Sequence, residues 1–249
     1  MAKAFFRGLG IAHRREMMLV KYWMRRAVIT VNAGDSMQEA ITKMKEYFVQ
    51  LLPVLKDGGL AGVITDRDLK RASASDATSL DVHELAYLIA KITCEEIMSK
   101  NPITVPPDFT LEEAAALLLH HKISGAPVVD NGGRLVGTIG QRDIYRALLS
   151  LTGFEKRGLQ LAFDIADRAG SIKQLTDVVR KCGGRLVSVL SSYERAPSGR
   201  RHVYIRAYNL DRDQVPQMVE ELKTKGTLLY LVDHREGTRE EFVQSERVG

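Results

Sequence analysis

Two short segments place an acidic side chain at the predicted junction between a strand and a helix. Thr65-x-x-Asp68 and Gly140-x-x-Asp143 each follow an apolar run that is typical of a buried strand. The N-terminus of a helix carries free backbone N–H groups and a partial positive charge, so such a junction suits a phosphate. An ionised Asp only accepts hydrogen bonds, and Asp68 can therefore take both hydroxyl protons of a ribose. The spacing predicts a nucleotide site at Thr65 and Asp68.

A second interpretation of the same residues stays open. Thr-x-x-Asp is also a capping box, which does no more than start a helix. Arg67 lies beside the acid, where it either reaches a phosphate or is a solvated arginine at the helix start. In the second segment Gly140 lacks the hydroxyl of Thr65, so we expect the site at Asp143 to be weaker or vacant.

Both segments belong to an internal repeat that covers the first 150 residues. Each copy has the pattern strand, helix, strand, strand, helix, with Ser36 or Thr110 in a capping-box position before its first helix. A β-α-β-β-α unit cannot close a core alone, so the copies are predicted to pack on each other as a pseudo-two-fold pair. Five pairs of segments recur 74 or 75 residues apart: 29–31 and 103–105, 36–40 and 110–114, 53–54 and 127–128, 57–59 and 131–133, 62–68 and 137–143.

Together, these motifs resemble a pair of CBS domains over roughly Met18 to Leu149. The marks are the strand-Gly-h-h-Thr-x-x-Asp-helix pattern, the Pro-Val strand before it, and the Met-x-x-x-x-x-Thr-Val segment that starts at Met24 and again at Met98. The resemblance implies an adenine nucleotide ligand (AMP, ADP or ATP) whose base is held by the opposite repeat. The implied base-side residues are Met98, Ile103, Ile123, Ser124 and Gly125 for the first site, and Ile29, Val49, Gln50 and Leu51 for the second.

The last third of the chain has a different pattern. Its predicted strands and helices follow the order β-α-β-β-α-β, which is ferredoxin-like. With Asp167-Arg-Ala-Gly170-Ser171 at the first β-α turn, it resembles an ACT domain, a family that binds amino acids between paired copies. The resemblance implies an amino-acid site at Asp167, Gly170 and Ser171. The alternative is that Gly170 is only a tight-turn residue.

The predicted fold class is therefore α/β (α+β), with tandem CBS repeats followed by a ferredoxin-like ACT domain. The predicted boundaries are 1–17 for a basic N-terminal tail, 18–73 for the first CBS motif, 74–92 for a linker helix, 93–149 for the second CBS motif, 158–235 for the ACT-like domain and 236–249 for a polar tail.

Composition limits the other classes of function. The net charge is +5, but residues 1–26 hold seven basic side chains and one acid, so the remainder is close to neutral and a nucleic-acid surface is disfavoured. No apolar run approaches the roughly 20 residues that cross a bilayer. Cys94 and Cys182 are distant in sequence, and no histidine is spaced for zinc. This pattern predicts reduced thiols, no metal, no membrane insertion and a cytoplasmic location.

These observations predict a non-catalytic sensor, since no nucleophile–base set appears and the connection from Leu149 to Gly158 leaves no space for the catalytic barrel of an inosine-monophosphate dehydrogenase. The whole chain resembles CBS–ACT proteins of acetoin utilisation. We expect a homodimer that acts on an unidentified enzyme or transporter. The alternatives are a regulatory subunit or interaction scaffold with vacant ligand sites, and a nucleic-acid-associated regulator that uses the basic N-terminal segment.

Overall fold

The computed structural model describes residues 18–76 and 91–242. The chain divides into two compact units, with the boundary between Tyr145 and Arg146. The predicted tail 1–17, most of the predicted linker 74–92 and the end of the predicted polar tail lie outside the described residues. No helix within these two ranges is long and apolar enough to span a membrane.

The first repeat forms a helix-flanked sheet. The strand β1 pairs in parallel with β2, and β2 forms an antiparallel hairpin with β3. Ser36 caps α2 by accepting a hydrogen bond from Glu39 N at 3.2 Å, but the Glu39 carboxylate pairs with Lys43 instead of closing the predicted capping box. The elements are α1 (Val20–Trp23), β1 (Val31–Asn32), α2 (Met37–Glu46), β2 (Leu51–Lys56), β3 (Gly59–Thr65) and α3 (Asp66–Asp76).

The second repeat follows the same plan with one strand reduced. The strand predicted at 103–105 is a single parallel bridge between Val105 and Val128, whose counterpart in the first repeat is the pairing of Val31 with Val54. Both residues of this bridge lie 74 positions after their counterparts, so the register is repeated. The elements are α4 (Cys94–Ile97), β4 (Ser99–Lys100), α5 (Leu111–His120), β5 (Gly125–Val129), β6 (Leu135–Gly140) and α6 (Gln141–Leu151).

The two repeats exchange the segments that precede them. Before the first repeat, Val20 N donates to the backbone oxygen of Phe109 at 2.8 Å, and Arg25 bridges Thr138 on β6. Before the second repeat, residues 94–98 complete the buried core of the first repeat, and β4 pairs with β3. The segment that precedes each repeat therefore packs against the other repeat and completes its fold.

Gly62→Ala tests this exchange. A Cβ at Gly62 would lie 2.6 Å from Met98 Sδ and 2.9 Å from the backbone oxygen of Ser99. Because one of these atoms is backbone, β4 must shift, and we expect the free energy of unfolding to fall by about 1–3 kcal/mol. Gly34→Ala is the control, since a Cβ there has no heavy atom within 4 Å. Equal urea midpoints for the two variants would contradict the prediction.

The second unit is an antiparallel sheet with two helices on one face. Its elements follow the predicted β-α-β-β-α-β order, and α7 and α8 pack on the sheet through buried side chains that include Phe163, Leu175, Ile205, Met218 and Leu222. The sheet order is β11-β10-β7-β9-β8. The elements are β7 (Leu159–Ala166), α7 (Ser171–Lys181), β8 (Arg185–Ser192), β9 (Arg200–Tyr208), α8 (Val215–Lys223), β10 (Thr227–Asp233) and β11 (Thr238–Glu241).

The strand β11 is a correction to the predicted polar tail from residue 236. It pairs antiparallel with β10, with Glu240 opposite Leu231, and all four of its side chains are exposed. Because this edge strand is held by backbone hydrogen bonds and buries no side chain, its polar sequence lacks the alternation that predicts a strand.

Candidate functional site

A cleft of about 680 Å³ lies between the two repeats, and we call it the Thr65 cleft. The first repeat contributes the start of β2, the end of β3 and the first turns of α3, and the second contributes residues 99–103, 122–125 and 127. The cleft brings together seven of the eight residues predicted for the first site: Thr65, Arg67, Asp68, Ile103, Ile123, Ser124 and Gly125.

Asp68 is 5% exposed and its carboxylate is occupied by protein donors. Oδ2 accepts from Thr65 N at 2.9 Å and from Thr65 Oγ1 at 2.6 Å. Oδ1 accepts from Arg71 at 3.0 Å and from Ser99 Oγ at 3.2 Å. An ionised carboxylate has about four acceptor positions, and these hydrogen bonds occupy all of them. Asp68 therefore caps α3, as the capping interpretation predicts, and also lines the cleft.

The Thr65 cleft is rich in positive charge. Arg71 is paired with Asp68, whereas the side chains of Arg67, Lys100 and Lys122 are exposed. Lys122 has a backbone φ of 53°, a conformation that costs free energy for a residue other than glycine and that clusters at functional sites. Five basic and two acidic side chains line the cleft: Arg67, Lys70, Arg71, Lys100 and Lys122 against Asp66 and Asp68. This balance favours an anionic ligand.

A smaller cleft of about 270 Å³, the Asp143 cleft, contains the pseudo-symmetric residues. It shares with the Thr65 cleft a wall made of Gln50, Leu51, Ser124 and Gly125. The two clefts are therefore back to back, each with one strand–helix junction.

The chemistry of the Asp143 cleft is poorer than that of the Thr65 cleft. Asp143 Oδ2 accepts from Gly140 N at 3.0 Å, which repeats the backbone bond of Thr65, but Gly140 has no hydroxyl. Phe48 stands where Lys122 stands in the other copy, and it shares the positive φ, at 51°. The Asp143 cleft is smaller than the Thr65 cleft and has fewer donors. These two differences support the expectation that its site is the weaker one.

Two predicted base-side residues line neither the Thr65 cleft nor the Asp143 cleft. Met98 is 9% exposed and packs on Gly62 in the core of the first repeat, facing an adjoining hollow of about 380 Å³ and not the Thr65 cleft. Ile29 packs against the same core and does not line the Asp143 cleft. Met98 belongs to the segment before the second repeat and packs in the core of the first, whereas Ile29 packs against the core of its own repeat, so neither lines the Thr65 cleft or the Asp143 cleft.

Sequence reasoning missed several lining residues, chiefly Ser99, Lys100, Arg71 and Lys122. The repeat relates two of the lining positions, because Ser99 lies 74 positions after Arg25 and each lines one of the two clefts. The sequence alone does not show that either position faces a cleft.

The predicted amino-acid residues lie at the start of α7. Gly170 has a φ of 82° and open space where a Cβ would stand, so the turn conformation and not close packing requires glycine. Ser171 is buried, and its Oγ donates to the backbone oxygen of Arg168 at 2.9 Å. Arg201 on β9, which sequence reasoning missed, donates to Ser171 Oγ at 3.2 Å and lies 3.4 Å from Asp167 Oδ1.

The two thiols are buried and unpaired with each other. Burial raises the pKa of the Cys94 thiol to about 11, so it stays protonated at neutral pH, whereas the thiolate is the nucleophilic form. Within residues 18–76 and 91–242, no three His, Cys, Asp or Glu side chains form a group that could hold a metal ion.

Known proteins resemble this chain in its repeats. The CBS domain family model matches residues 20–75 and 94–150. The CBS domain-containing protein YhcV of Bacillus subtilis is 33% identical over 128 residues, which cover 51% of this chain and 84% of that protein. Inosine-5'-monophosphate dehydrogenase of Korarchaeum cryptofilum is 33% identical over 155 residues, or 58% of this chain, but the chain spans only 29% of that enzyme.

Among solved structures, CBSX2 in complex with AMP aligns with 53% of this chain and 97% of that chain, at 29% identity and a TM-score of 0.45. The family model leaves the second unit beyond residue 150 unassigned. With both repeats matched and most of YhcV covered, the chain belongs to the CBS-domain family and carries a tandem pair of CBS domains in residues 20–150.

Proposed function

We propose that this chain is a non-catalytic regulatory protein whose CBS pair binds an adenine nucleotide in the Thr65 cleft. The observation that carries the proposal is the convergence of the Thr65–Asp68 pair, a cluster of basic side chains and the Ser124–Gly125 backbone on one cleft. A Cβ at Gly125 would lie 3.0 Å from the backbone oxygen of Ile139, so glycine keeps this wall thin. A flat purine can approach such a backbone closely.

The hydrogen bonds of Asp68 suggest which contacts must change when the nucleotide binds. Because protein donors fill the carboxylate, the ribose hydroxyls must replace the hydroxyls of Thr65 and Ser99. The released Thr65 hydroxyl then donates to a phosphate at the start of α3, where free N–H groups also point. Each hydrogen bond that Asp68 loses is replaced by another, so the net gain comes from the base packed against the Ser124–Gly125 backbone together with the phosphate contacts of the basic side chains.

Thermal unfolding tests this proposal. A nucleotide that binds only the folded state stabilises it by about 2.7 kcal/mol at 100 times its Kd. We expect AMP, ADP or ATP to raise the Tm, and ATP to raise it more than sodium tripolyphosphate does at equal ionic strength, because tripolyphosphate lacks the base and ribose. No shift with any adenine nucleotide up to millimolar concentration would contradict the proposal.

We propose that the second unit is an ACT-like domain with an amino-acid site at Asp167, Gly170 and Ser171. The specific observation is Arg201, whose side chain is 16% exposed and whose buried Nε lies 3.4 Å from Asp167 Oδ1 but makes no hydrogen bond in the described part of the chain. Arginine is the usual partner of a ligand carboxylate, and Asp167 can receive an ammonium group.

An amino-acid screen by thermal shift tests this second site. We expect at least one free amino acid to raise the Tm, and Arg201→Gln to remove that shift by deleting the carboxylate partner. Arg195→Gln is the matched control, because Arg195 is exposed on the loop before β9. A shift that persists in Arg201→Gln would place amino-acid binding elsewhere.

We propose that the chain acts as a homodimer and regulates an enzyme or transporter. In the first unit, Phe48, Leu119 and Tyr145 are 78%, 74% and 59% exposed, and burial of such large side chains against a second copy would stabilise a dimer.

Light scattering tests the dimer. The wild type is expected to be a dimer at micromolar concentration, and Leu119→Glu to shift it toward monomer because a charge cannot be buried unpaired at an interface. His121→Glu, an exposed change at the end of the same helix, should leave the mass unchanged. A monomeric wild type would exclude the dimer.

A further inference from the structure

The second unit contains a buried arginine whose charge has no acidic partner. Arg206 on β9 is 6% exposed, and within the described residues no Asp or Glu lies in ion-pair distance of it. Its NH2 donates to Gln160 Oε1 at 2.5 Å, whereas its NH1 is buried without a hydrogen-bond partner in the same ranges. An unpaired buried charge costs several kcal/mol, which the protein has to offset elsewhere.

Arg206 lies on the sheet face opposite α7 and α8. Its cross-strand neighbours are Gln160 on β7 and Ser188 on β8, whereas the adjacent Ile205 belongs to the core under the helices. Two further polar side chains converge on Gln160: its Nε2 donates to Tyr230 Oη at 3.1 Å, and His234 Nε2 lies 3.2 Å from its Oε1. The face therefore carries a guanidinium, a phenol, an amide and an imidazole within one hydrogen-bonded cluster.

A short segment covers this cluster. Ser188 Oγ donates to the backbone oxygen of Thr152 at 3.0 Å, and the Phe154 ring lies 5.6 Å from the Arg206 guanidinium carbon and 5.5 Å from the His234 ring. Gly153 has a φ of 63°, and a Cβ there would meet Val187 Cγ1 at 1.8 Å, so the turn that places Phe154 requires glycine. The Phe154 ring thus covers the Arg206 guanidinium.

We propose that Arg206, with Tyr230 and His234, forms a binding site for a small monocarboxylate, and that the ligand reaches it by displacing Phe154. A guanidinium binds a planar carboxylate through two parallel hydrogen bonds, which would satisfy NH1 and supply the missing negative charge. The Tyr230 hydroxyl is a further donor at the same cluster. This site is distinct from Asp167, Gly170 and Ser171, which lie at the start of α7.

Charge selects a monocarboxylate over a phosphate. Burial and the neighbouring Arg206 and Arg239 lower the pKa of His234 below its ordinary value, so the imidazole is neutral at pH 7 and adds no second positive charge. One guanidinium matches one negative charge, whereas a phosphate dianion would keep an uncompensated charge in a buried place.

The test follows the Arg Nε–H signals of the full-length chain by NMR during titration with sodium formate, acetate and propionate, with sodium phosphate as the comparison at fixed ionic strength. The Arg206 signal, identified by its loss in Arg206→Gln, is expected to shift saturably with a carboxylate and not with phosphate. Phe154→Ala removes the ring that the ligand must displace. The fraction of molecules able to bind therefore rises, and the affinity for carboxylate should increase about fivefold or more.

Arg206→Gln is expected to lower carboxylate affinity and Phe154→Ala to raise it. This difference distinguishes a ligand site from an arginine that has only a structural role. If Arg206 served only to hold Phe154, then Phe154→Ala would show no saturable carboxylate binding, and that result would overturn the proposal. Tighter binding of phosphate than of every carboxylate would also overturn it. Phe154→Ala leaves Arg206 and its Gln160 contact in place, so the test stands even where Arg206→Gln fails to fold.

Discussion

Asp68→Asn is expected to abolish the increase in Tm that an adenine nucleotide gives the wild-type protein. Asn replaces one acceptor oxygen by an NH2 group, so it can no longer accept from Thr65 on one side and from a ribose hydroxyl on the other. At 100 times the wild-type Kd the lost stabilisation is about 2.7 kcal/mol, which corresponds to about 5–10 °C for a chain of this size. Differential scanning calorimetry with and without nucleotide measures the shift within each variant, so a lower Tm of the unliganded variant does not obscure it.

The pseudo-symmetric Asp143→Asn is the matched control. It changes the same chemical group at the same place in the other copy, where Gly140 provides no hydroxyl and the cleft is smaller. We therefore expect Asp143→Asn to retain most of the nucleotide-dependent shift. Equal losses in both variants would refute the asymmetry of the two clefts.

Reversal of two charges in the Thr65 cleft is expected to separate nucleotides from nucleosides. Arg67→Glu combined with Lys122→Glu should weaken ATP binding by about 10- to 100-fold, since each reversal turns an attraction with phosphate into a repulsion that solvent partly screens. Adenosine carries no phosphate, so its affinity should change little. Isothermal titration calorimetry with both ligands measures the two effects.

A second double variant controls for net charge. Lys45→Glu combined with Arg185→Glu makes the same change in net charge at exposed positions that do not line the cleft. We expect it to bind ATP like the wild type at physiological salt, where exposed charges beyond about 8 Å are screened. A similar loss of ATP affinity in both double variants would show that overall charge and not the cleft determines binding.

The repeat made the topology of the first unit predictable. The offset of 74 or 75 residues fixes which strands are equivalent, and the structure repeats even the register of the parallel pairing at Val31 and Val105. The exchange of lead segments was not predictable, because the packing of Met98 on Gly62 depends on which copy each segment reaches in space. That packing keeps Met98 out of the Thr65 cleft, whereas Ile29 stays out of the Asp143 cleft because it packs against the core of its own repeat.

In the second unit, the periodicity of apolar residues predicted the elements that bury side chains, such as β7 with Leu161 and Phe163. It could not predict β11, which buries none, nor the positions of Arg201 and Arg206. Arg201 pairs with Ile165 on β7, and Arg206 pairs with Gln160 on β7 and Ser188 on β8; these neighbours are distant in sequence.

The most direct test of the central claim is a crystal structure of the full-length protein grown with saturating ADP. We expect one well-ordered nucleotide in the Thr65 cleft, with its ribose hydroxyls on Asp68, its phosphates at the start of α3 near Lys122, and its base against Ser124–Gly125. A nucleotide bound only in the Asp143 cleft, or only in the second unit, would contradict it.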